Sequence, residues 1–168
     1  MASPPITFEP LKPLHAPLLH GWLQEAHVRE FWDDGDRTLE QVLAHYFEPD
    51  WDAVPFLIVL GGLPIGYIQT YPVDAESEFA VWRGSSGETW GIDLFIGERA
   101  WLGRGLAGPI IQAFLGLLRA LHPALRRVLI DPETRNTRAR HVYAKAGFVP
   151  LTTVEVEGKE LGLMGLDI

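Results

Sequence analysis

No cysteine occurs among the 168 residues of the chain. Disulfide bridges, zinc-thiolate centres and iron-sulfur clusters are therefore excluded, and so is a catalytic thiol. An enzyme built on this sequence has to do its chemistry with carboxylates, hydroxyls, imidazoles or backbone groups. A chain of this size can bury roughly two-thirds of its unfolded surface. We therefore expect a single domain spanning residues 1–168 that needs no covalent cross-link.

Long apolar runs are also missing. No segment approaches the length of a membrane-spanning helix, and the N-terminal Met-Ala-Ser-Pro-Pro lacks the basic and apolar regions of a signal peptide. We expect a cytoplasmic protein without a membrane partner. The six histidines show no metal-ligand spacing, which predicts no metal site; they are His15, His20, His27, His45, His122 and His141.

Basic residues are scarce in the first part of the chain. Residues 1–98 hold 4 Lys and Arg against 16 Asp and Glu, whereas residues 99–168 hold 10 against 6. An acidic region favours a cationic partner and a basic region favours an anionic one. The overall charge of -8 argues against nucleic acid as a partner. The alternative is that the carboxylates only keep the surface solvated.

Hydrophobic periodicity and turn residues predict an α/β protein with the order βααβββαβαββ, a mixed sheet with helices on its faces. Helices are expected at 14–28, after a capping box at Thr38 and Gln41, at 105–121, and between a cap at Asn136 and an end at Gly147. Strands are expected at 6–12, 54–60, 63–73, 89–96, 127–131, 148–156 and 160–167.

Two segments stand out chemically. Residues 31–36 read Phe-Trp-Asp-Asp-Gly-Asp, and aromatic rings beside three carboxylates suit a bound cation. The second segment reads Gly103-Arg104-Gly105-Leu106-Ala107-Gly108 and lies between a strand and a long helix. Backbone N–H groups and a helix N-terminus in that setting bind phosphate, and Arg104 adds a cation.

The glycine segment has two other interpretations. Its spacing matches the GxGxxG fingerprint of dinucleotide-binding folds, with Asp131 in the place of the acidic residue. However, six residues separate the strand from Gly103, and the 37 residues after Asp131 leave no room for further parallel crossovers. The segment could also be a glycine-rich helix start with no ligand.

Residues 102–107, Leu-Gly-Arg-Gly-Leu-Ala, followed by a helix, resemble the pyrophosphate loop of the GNAT superfamily of N-acetyltransferases. Leu102 departs from the usual Arg or Gln, which removes one polar contact but leaves the backbone donors. The next signature of that superfamily, a helix followed by Gly-Phe, is similar to the segment containing Asn136, Ala139, Tyr143, Lys145, Gly147 and Phe148.

Within the superfamily, the sequence most resembles aminoglycoside 6′-N-acetyltransferases, from about His27 to the last strands. The resemblance rests on five sequence segments: HVREFW at 27–32, PIGY at 64–67, QTY at 69–71, GIDLFIG at 91–97 and IDP at 130–132. It implies an acetyl-CoA donor, an amino-sugar acceptor and a role in antibiotic resistance. A sister group that acylates siderophore amines shares much of this layout.

The resemblance also implies roles for single residues. Asp93 corresponds to a catalytic aspartate that binds the reacting amine and accepts its proton, directly or through water. Tyr143 corresponds to the tyrosine that protonates the departing thiolate, and a backbone N–H of Phe95 or Ile96 binds the thioester carbonyl. The alternatives are that an arginine holds Asp93 and that Tyr143 only packs in the core. The cofactor-binding residues are then Phe95, Ile96, Gly103, Arg104, Gly105, Leu106, Ala107, Gly108, Asn136 and Tyr143.

An amino sugar offers ammonium groups, hydroxyls and an apolar ring face, which carboxylates and aromatic rings bind. The candidate acceptor-binding residues are Trp32, Asp33, Tyr46, Gln69, Tyr71, Trp82, Asp93 and Asp131. With no cysteine for an acetyl-enzyme, we expect direct attack of a polycationic amine within a ternary complex, in a monomer or homodimer. The alternatives are another amine acceptor, such as a siderophore precursor, a polyamine or a protein N-terminus, and a non-catalytic acyl-CoA or drug-binding protein.

Overall fold

The computed structural model describes residues 4–168, so the first three residues of the N-terminal segment considered above lie outside the described part. Helices α1 to α5 are Ala16–Gln24, Ala26–Arg29, Leu39–Tyr46, Ala107–Leu121 and Thr137–Lys145. Strands β1 to β7 are Ile6–Pro10, Val54–Leu60, Leu63–Pro72, Glu88–Ile96, Leu125–Ile130, Val149–Val156 and Lys159–Asp167. None of the helices in this part of the chain is long and apolar enough to cross a membrane.

The seven strands form one sheet in the order β1-β2-β3-β4-β5-β7-β6. β4 and β5 pair in parallel, whereas β1 with β2, β5 with β7 and β6 with β7 pair antiparallel. This confirms the predicted mixed sheet and the edge position of β1. The parallel pairing follows from α4, which connects β4 to β5 as a crossover.

The prediction of one continuous helix over 14–28 is wrong. Residues 13–15 form a 3₁₀ turn, and α1 ends because Glu25 is extended, with φ -65° and ψ 135°. The break lets α2 start in a new direction, with Val28 buried, and places the Glu25 carboxylate 3.3 Å from Arg99. The element order is therefore βαααβββαβαββ.

Other boundaries differ by a few residues. β1 ends at Pro10, and α4 begins at Ala107 because Gly105 has a left-handed φ of +69°, which a helix does not accept. β5 ends at Ile130, so Asp131 follows the strand instead of closing it.

Local signals in the sequence are confirmed. Thr38 and Gln41 form the predicted capping box, with a backbone N–H from each bonded to the side chain of the other at 2.8 and 3.2 Å. Asn136 caps α5 by accepting from the Ala139 N–H at 3.3 Å. Gly147 after α5 has a φ of +109°, as predicted for a helix end.

The described residues divide into two compact units. The first unit contains the residues up to Gln69 and Leu94–Leu106, and the second contains Thr70–Asp93 and Ala107–Ile168. The first unit has a core of buried side chains that includes Leu19, Trp22, Leu23, Val28, Val42, Tyr46, Leu57 and Tyr67. The second has a cluster of Val73, Phe79, Leu129 and Leu163, and α4 buries Ile110, Ile111, Phe114, Leu115 and Leu118.

Candidate active site

Two aspartates of the second unit are joined by a hydrogen bond between their carboxyl groups. Asp93 lies in β4, two residues beyond Gly91, where the pairing of β4 with Leu129 of β5 ends. Asp131 immediately follows β5. Burial, then the charge and hydrogen bond of Asp93, raise the pKa of Asp131 well above its ordinary value. A protonated Asp131 donates to Asp93, so the pair carries one negative charge while Asp131 keeps its proton.

A third carboxylate, Glu78, acts on the same pair. Its charge also raises the pKa of Asp131, although the Glu78 side chain is exposed. Glu78 lies in the irregular segment between β3 and β4, and the sequence analysis did not select it. In the sequence, Glu78 is only an acidic residue near Trp82. Hydrophobic periodicity does not predict where a loop lies in the fold, so the sequence gives no sign that Glu78 acts on this pair.

Tyr143 is buried in α5, with 8% of its surface exposed. Burial, followed by the charges of Asp93 and Asp131, raises the pKa of its hydroxyl far above the ordinary value for tyrosine. The hydroxyl therefore stays protonated at any physiological pH and acts as a hydrogen-bond donor. Since both carboxyl groups influence it, the second unit brings the two predicted catalytic residues, Asp93 and Tyr143, together with Asp131.

Tyr71 and Trp82 flank this part of the second unit. A Cβ on Gly91 would collide with the Tyr71 ring, so glycine is required there for the ring to lie against β4. Both aromatic side chains pack on the cluster around Phe79. Trp82 is held further by its carbonyl, which accepts from Arg127 Nη1 at 3.0 Å.

The backbone amides at the end of β4 point alternately to its two edges. The Thr89 carbonyl accepts from Val73 after β3, and the Gly97 N–H donates to Ile65 of β3, so odd-numbered residues face β3. The N–H of Phe95 therefore faces β3, whereas the N–H of Ile96 faces the opposite edge. Leu94 has the same orientation as Ile96, so its N–H is a second amide that faces away from β3. It is not among the predicted residues, because the sequence alone does not show which edge is paired.

The glycine segment fits a pyrophosphate group. Gly103 and Gly105 both have φ of +69°, and a Cβ built on either meets nothing within 4 Å, so the backbone is exposed and open. Arg104 lies over the Trp101 ring, with Cζ 4.9 Å from its centroid. Leu106 precedes α4, and Ala107 and Gly108 are its first two residues, so the N–H groups of the first turn lie directly after the glycines.

Four of the predicted acceptor-binding residues lie in the first unit. Trp32 Nε1 donates to the Tyr46 hydroxyl at 3.2 Å, and Gln69 accepts from the Tyr67 hydroxyl at 2.7 Å. Asp33 is exposed.

The other two carboxylates of the 31–36 segment are paired with arginines. Asp34 lies 2.9 Å from Arg37 and Asp36 lies 2.7 Å from Arg29. The segment is therefore less free to bind a cation than its sequence indicated.

His27 is half-buried and donates from Nε2 to the Ile96 carbonyl at 2.9 Å. Its Nδ1 is buried with no hydrogen-bond partner among the described residues. One nitrogen of His27 is therefore satisfied by a hydrogen bond and the other is not. Residues 4–168 contain no group of three or more His, Asp or Glu side chains that could hold a metal ion.

Comparisons with known proteins identify the family. The family model "Acetyltransferase (GNAT) domain" matches residues 13–156. An aminoglycoside N(6')-acetyltransferase type 1 from Klebsiella pneumoniae is 32% identical over 143 residues, covering 82% of this chain and 70% of the relative. A lysine N-acyltransferase, MbtK, from a Mycobacterium species is 22% identical over 165 residues, covering 96% of this chain and 67% of the relative.

Among solved structures, aminoglycoside acetyltransferase AAC(6')-Ib in complex with coenzyme A and kanamycin superposes with a TM-score of 0.81 at 28% identity. The match covers 97% of this chain and 95% of the other. These matches confirm the predicted fold. The chain belongs to the GNAT acetyltransferase family, whose members take their acetyl group from acetyl-CoA.

Proposed function

We propose that this acetyltransferase transfers the acetyl group of acetyl-CoA to the 6′-amine of aminoglycosides and thereby confers resistance to them. The observation that carries the proposal is the hydrogen-bonded pair of Asp93 and Asp131 beside the buried Tyr143 hydroxyl. The pair supplies a negative charge for an ammonium group, and the phenol supplies a proton donor. The relative from Klebsiella pneumoniae and AAC(6')-Ib, named above, support the choice of acceptor.

In the proposed reaction, Asp93 binds the acceptor amine and takes its proton, directly or through water. The freed amine attacks the thioester carbonyl within a ternary complex, forms the amide bond and expels the thiolate of CoA. Direct attack is favoured because the chain has no cysteine to form an acetyl-enzyme. Backbone N–H groups of Leu94 and Ile96 are the candidate donors to the carbonyl oxygen as charge develops on it.

Tyr143 stabilises the departing thiolate by donating a hydrogen bond. Its raised pKa lies above that of an ordinary thiol, so the phenol stays protonated and its O–H is available to the thiolate sulfur as the sulfur departs. Binding of an ammonium group beside Asp93 and Asp131 offsets the negative charge that raises this pKa. The bound acceptor therefore makes Tyr143 a better acid, which couples binding of the amine to stabilisation of the departing thiolate.

Donor binding is assigned to the open glycine segment and to residues around it. The N–H groups of residues 103–108 would hold the pyrophosphate, and Arg104 would add a positive charge. The Asn136 side-chain oxygen caps α5, which leaves its amide N–H₂ group to donate a hydrogen bond to acetyl-CoA.

The test is a free-thiol assay with acetyl-CoA and a panel of aminoglycosides, including compounds that lack a 6′-amine, with lysine and spermidine as competing amines. Thiol release that requires the 6′-amine supports the proposal. Release with lysine alone would favour the N-acyltransferase alternative that the MbtK relative suggests. No release with any amine would favour a binding protein, and resistance of cells expressing the chain would separately test the role in resistance.

A further inference from the structure

A chain of hydrogen bonds in the first unit connects Trp32 to a partly buried ion pair. Trp32 Nε1 donates to the Tyr46 hydroxyl at 3.2 Å, and that hydroxyl donates to Asp34 Oδ2 at 2.5 Å. The other oxygen of Asp34 accepts from Arg37 Nε at 2.9 Å. An indole N–H only donates and a carboxylate only accepts, so the chain has a single possible direction.

Tyr46 is the fixed member of this chain. It is 2% exposed and belongs to the core of the first unit. Its ring makes edge contacts with Tyr67 and Trp51, with centroids 5.5 Å apart in each case. Packing therefore sets the position of its hydroxyl oxygen, whereas the bond to Asp34 sets the direction of the hydroxyl hydrogen and leaves a lone pair of the oxygen to accept from Trp32.

Trp32 is only partly buried, so part of its indole is accessible. Its ring meets Phe95 and Tyr67 edge-on, at centroid distances of 4.9 and 5.7 Å. Its one polar atom, Nε1, is held by the Tyr46 hydroxyl and gives the indole a third, directional contact. Losing that bond removes the directional contact and leaves the indole held by its two ring contacts alone.

Asp34 is not itself placed to bind a cation. Its side chain is 18% exposed, and Arg37 and Tyr46 occupy both of its oxygens. Burial alone would raise the pKa of Asp34, but the hydrogen bonds from Tyr46 and Arg37 outweigh it and lower the pKa. Asp34 is thus an ionised acceptor whose charge Arg37 already offsets.

We infer that Asp34 is a positioning residue for the acceptor, acting through the Tyr46 hydroxyl to hold the Trp32 indole at the angle at which an amino-sugar ring packs on it. This inference rests on the proposed function, because Trp32 is one of the residues proposed to contact the acceptor. Asp34 touches neither substrate, and its effect is on acceptor binding alone.

The test is a double-mutant cycle of Asp34→Ala and Tyr46→Phe, with KM for a 6′-amino aminoglycoside, KM for acetyl-CoA and kcat measured for each variant. Each single substitution breaks the same chain, so each is expected to raise the acceptor KM roughly 3- to 10-fold. For Asp34→Ala, kcat and the acetyl-CoA KM are expected to stay within about twofold of the parent. The double variant is expected to equal the worse single variant.

Asp34→Asn is the conservative variant. Its amide oxygen still accepts from Tyr46, while its N–H₂ group faces Arg37, which is 35% exposed and can turn to solvent. It is expected to restore an acceptor KM near that of the parent. Asp36→Asn is the matched control. Asp36 lies two residues away and pairs with an arginine as Asp34 does, but its side chain is 94% exposed. Asp36→Asn is expected to leave all three parameters unchanged.

Three results would overturn the inference. Single effects that multiply in the double variant would show that Asp34 and Tyr46 act separately. An Asp34→Asn variant as impaired as Asp34→Ala would show that charge, not the contact with Tyr46, matters. A parent-like acceptor KM in a folded Asp34→Ala variant would remove Asp34 from acceptor binding while leaving the proposed function intact. Failure of the parent enzyme itself to acetylate any aminoglycoside would instead reject the proposed function, and this inference with it.

Discussion

Asp131 donates a hydrogen bond to Asp93, and this bond joins two carboxyl groups that would repel each other if both were ionised. In the protein without substrate, ionisation of Asp131 is electrostatically unfavourable, because burial and the neighbouring charge hold the proton on Asp131. A cationic acceptor relieves that cost when it binds. The pair is thus suited to bind an amine and less suited to stabilise the fold.

The first prediction is that Asp131→Asn raises stability and lowers activity. The folded-state pKa of Asp131 lies above its value in the unfolded chain, so the folded state binds the extra proton and stability falls as pH rises through this interval. Asparagine has no charge to lose and still donates to Asp93. We expect Tm at neutral pH to increase by at least about 2 °C and the fall in Tm with rising pH to become shallower.

Thermal melts of the parent and the variant across the acidic to neutral range provide the measurement, together with kcat/KM for the acceptor. A variant that melts below the parent at neutral pH would mean that the ionised carboxylate is stabilising. In that case the pair would be a structural feature and not part of acceptor binding.

The second prediction is that Asp93→Asn lowers kcat/KM for the acceptor strongly while the fold and CoA binding persist. The substitution is nearly isosteric but removes the group that is proposed to take the amine proton. Steady-state kinetics and calorimetric titration with CoA separate the two effects. If the variant is as active as the parent, Asp93 has no part in proton transfer.

The third prediction concerns Tyr143→Phe, which keeps the ring and removes only the hydroxyl. We expect kcat to fall by roughly 10- to 10⁴-fold with little change in acetyl-CoA affinity, because the departing thiolate loses its donor. The matched control is Tyr71→Phe, which removes a hydroxyl to which no proton-transfer role is assigned. An unchanged kcat in Tyr143→Phe would leave only a packing role for this residue.

Much of the fold could be predicted because its signals are local. The capping box at Thr38 and Gln41 depends on residues three positions apart, and the end of α5 depends on one left-handed glycine, Gly147. The break at Glu25 carries no such signal. Its extended backbone is accompanied by contacts with distant residues such as Arg99, and a periodic apolar pattern continues through it.

The residues of the candidate site also divide into those that a local signal indicates and those that only the fold brings together. Asp93 could be selected because a charge in an apolar strand is costly without a task or partner. Glu78 and Asp34 could not, since an acidic residue in a loop gives no sign of the carboxyl or hydroxyl that it meets in the fold. The sequence could not single out Leu94 either, because the direction of a backbone N–H depends on which edge of the strand is paired.

The fourth prediction is that acetyl-CoA, and not NAD, raises Tm. The glycine segment is open at Gly103 and Gly105 and suits one pyrophosphate, a group that both ligands carry. However, β5 pairs antiparallel with β7, so no second βαβ half follows to hold the other nucleotide of NAD. At about 100 times Kd, stabilisation is about 2.7 kcal/mol, or roughly 5–10 °C for a protein of this size. Thermal melts with each ligand make the comparison, and stabilisation by NAD alone would contradict the assignment of the loop.

Gly105→Ala provides the variant for that experiment, because its φ of +69° disfavours a side chain and its Cβ would stand where the loop is open. We expect it to reduce the acetyl-CoA shift. Gly116→Ala is the matched control, since Gly116 lies within α4 with nothing within 4 Å of its Cβ. It is expected to keep the full shift and to raise the Tm of the protein alone.

The last prediction connects the charge distribution to the acceptor. Residues 1–98 carry 4 basic against 16 acidic residues, and an aminoglycoside carries several ammonium groups, so its capture should have an electrostatic part that salt screens. We expect the acceptor KM to rise with ionic strength. Asp33→Asn should flatten this dependence, whereas Asp50→Asn, which also removes an exposed carboxylate from residues 1–98, should not.

Asp131→Asn should behave differently, because the raised pKa of Asp131 keeps the carboxyl neutral at the lower end of the pH range. There the variant and the parent should share one salt dependence. At higher pH, where Asp131 ionises, the parent should become more salt-sensitive than the variant. Comparing the two proteins at each pH cancels the titration of the acceptor itself.

A parent KM that is flat from low to high salt would show that the carboxylates only solvate the surface. That result would reject a polycationic acceptor while leaving membership of the acetyltransferase family intact.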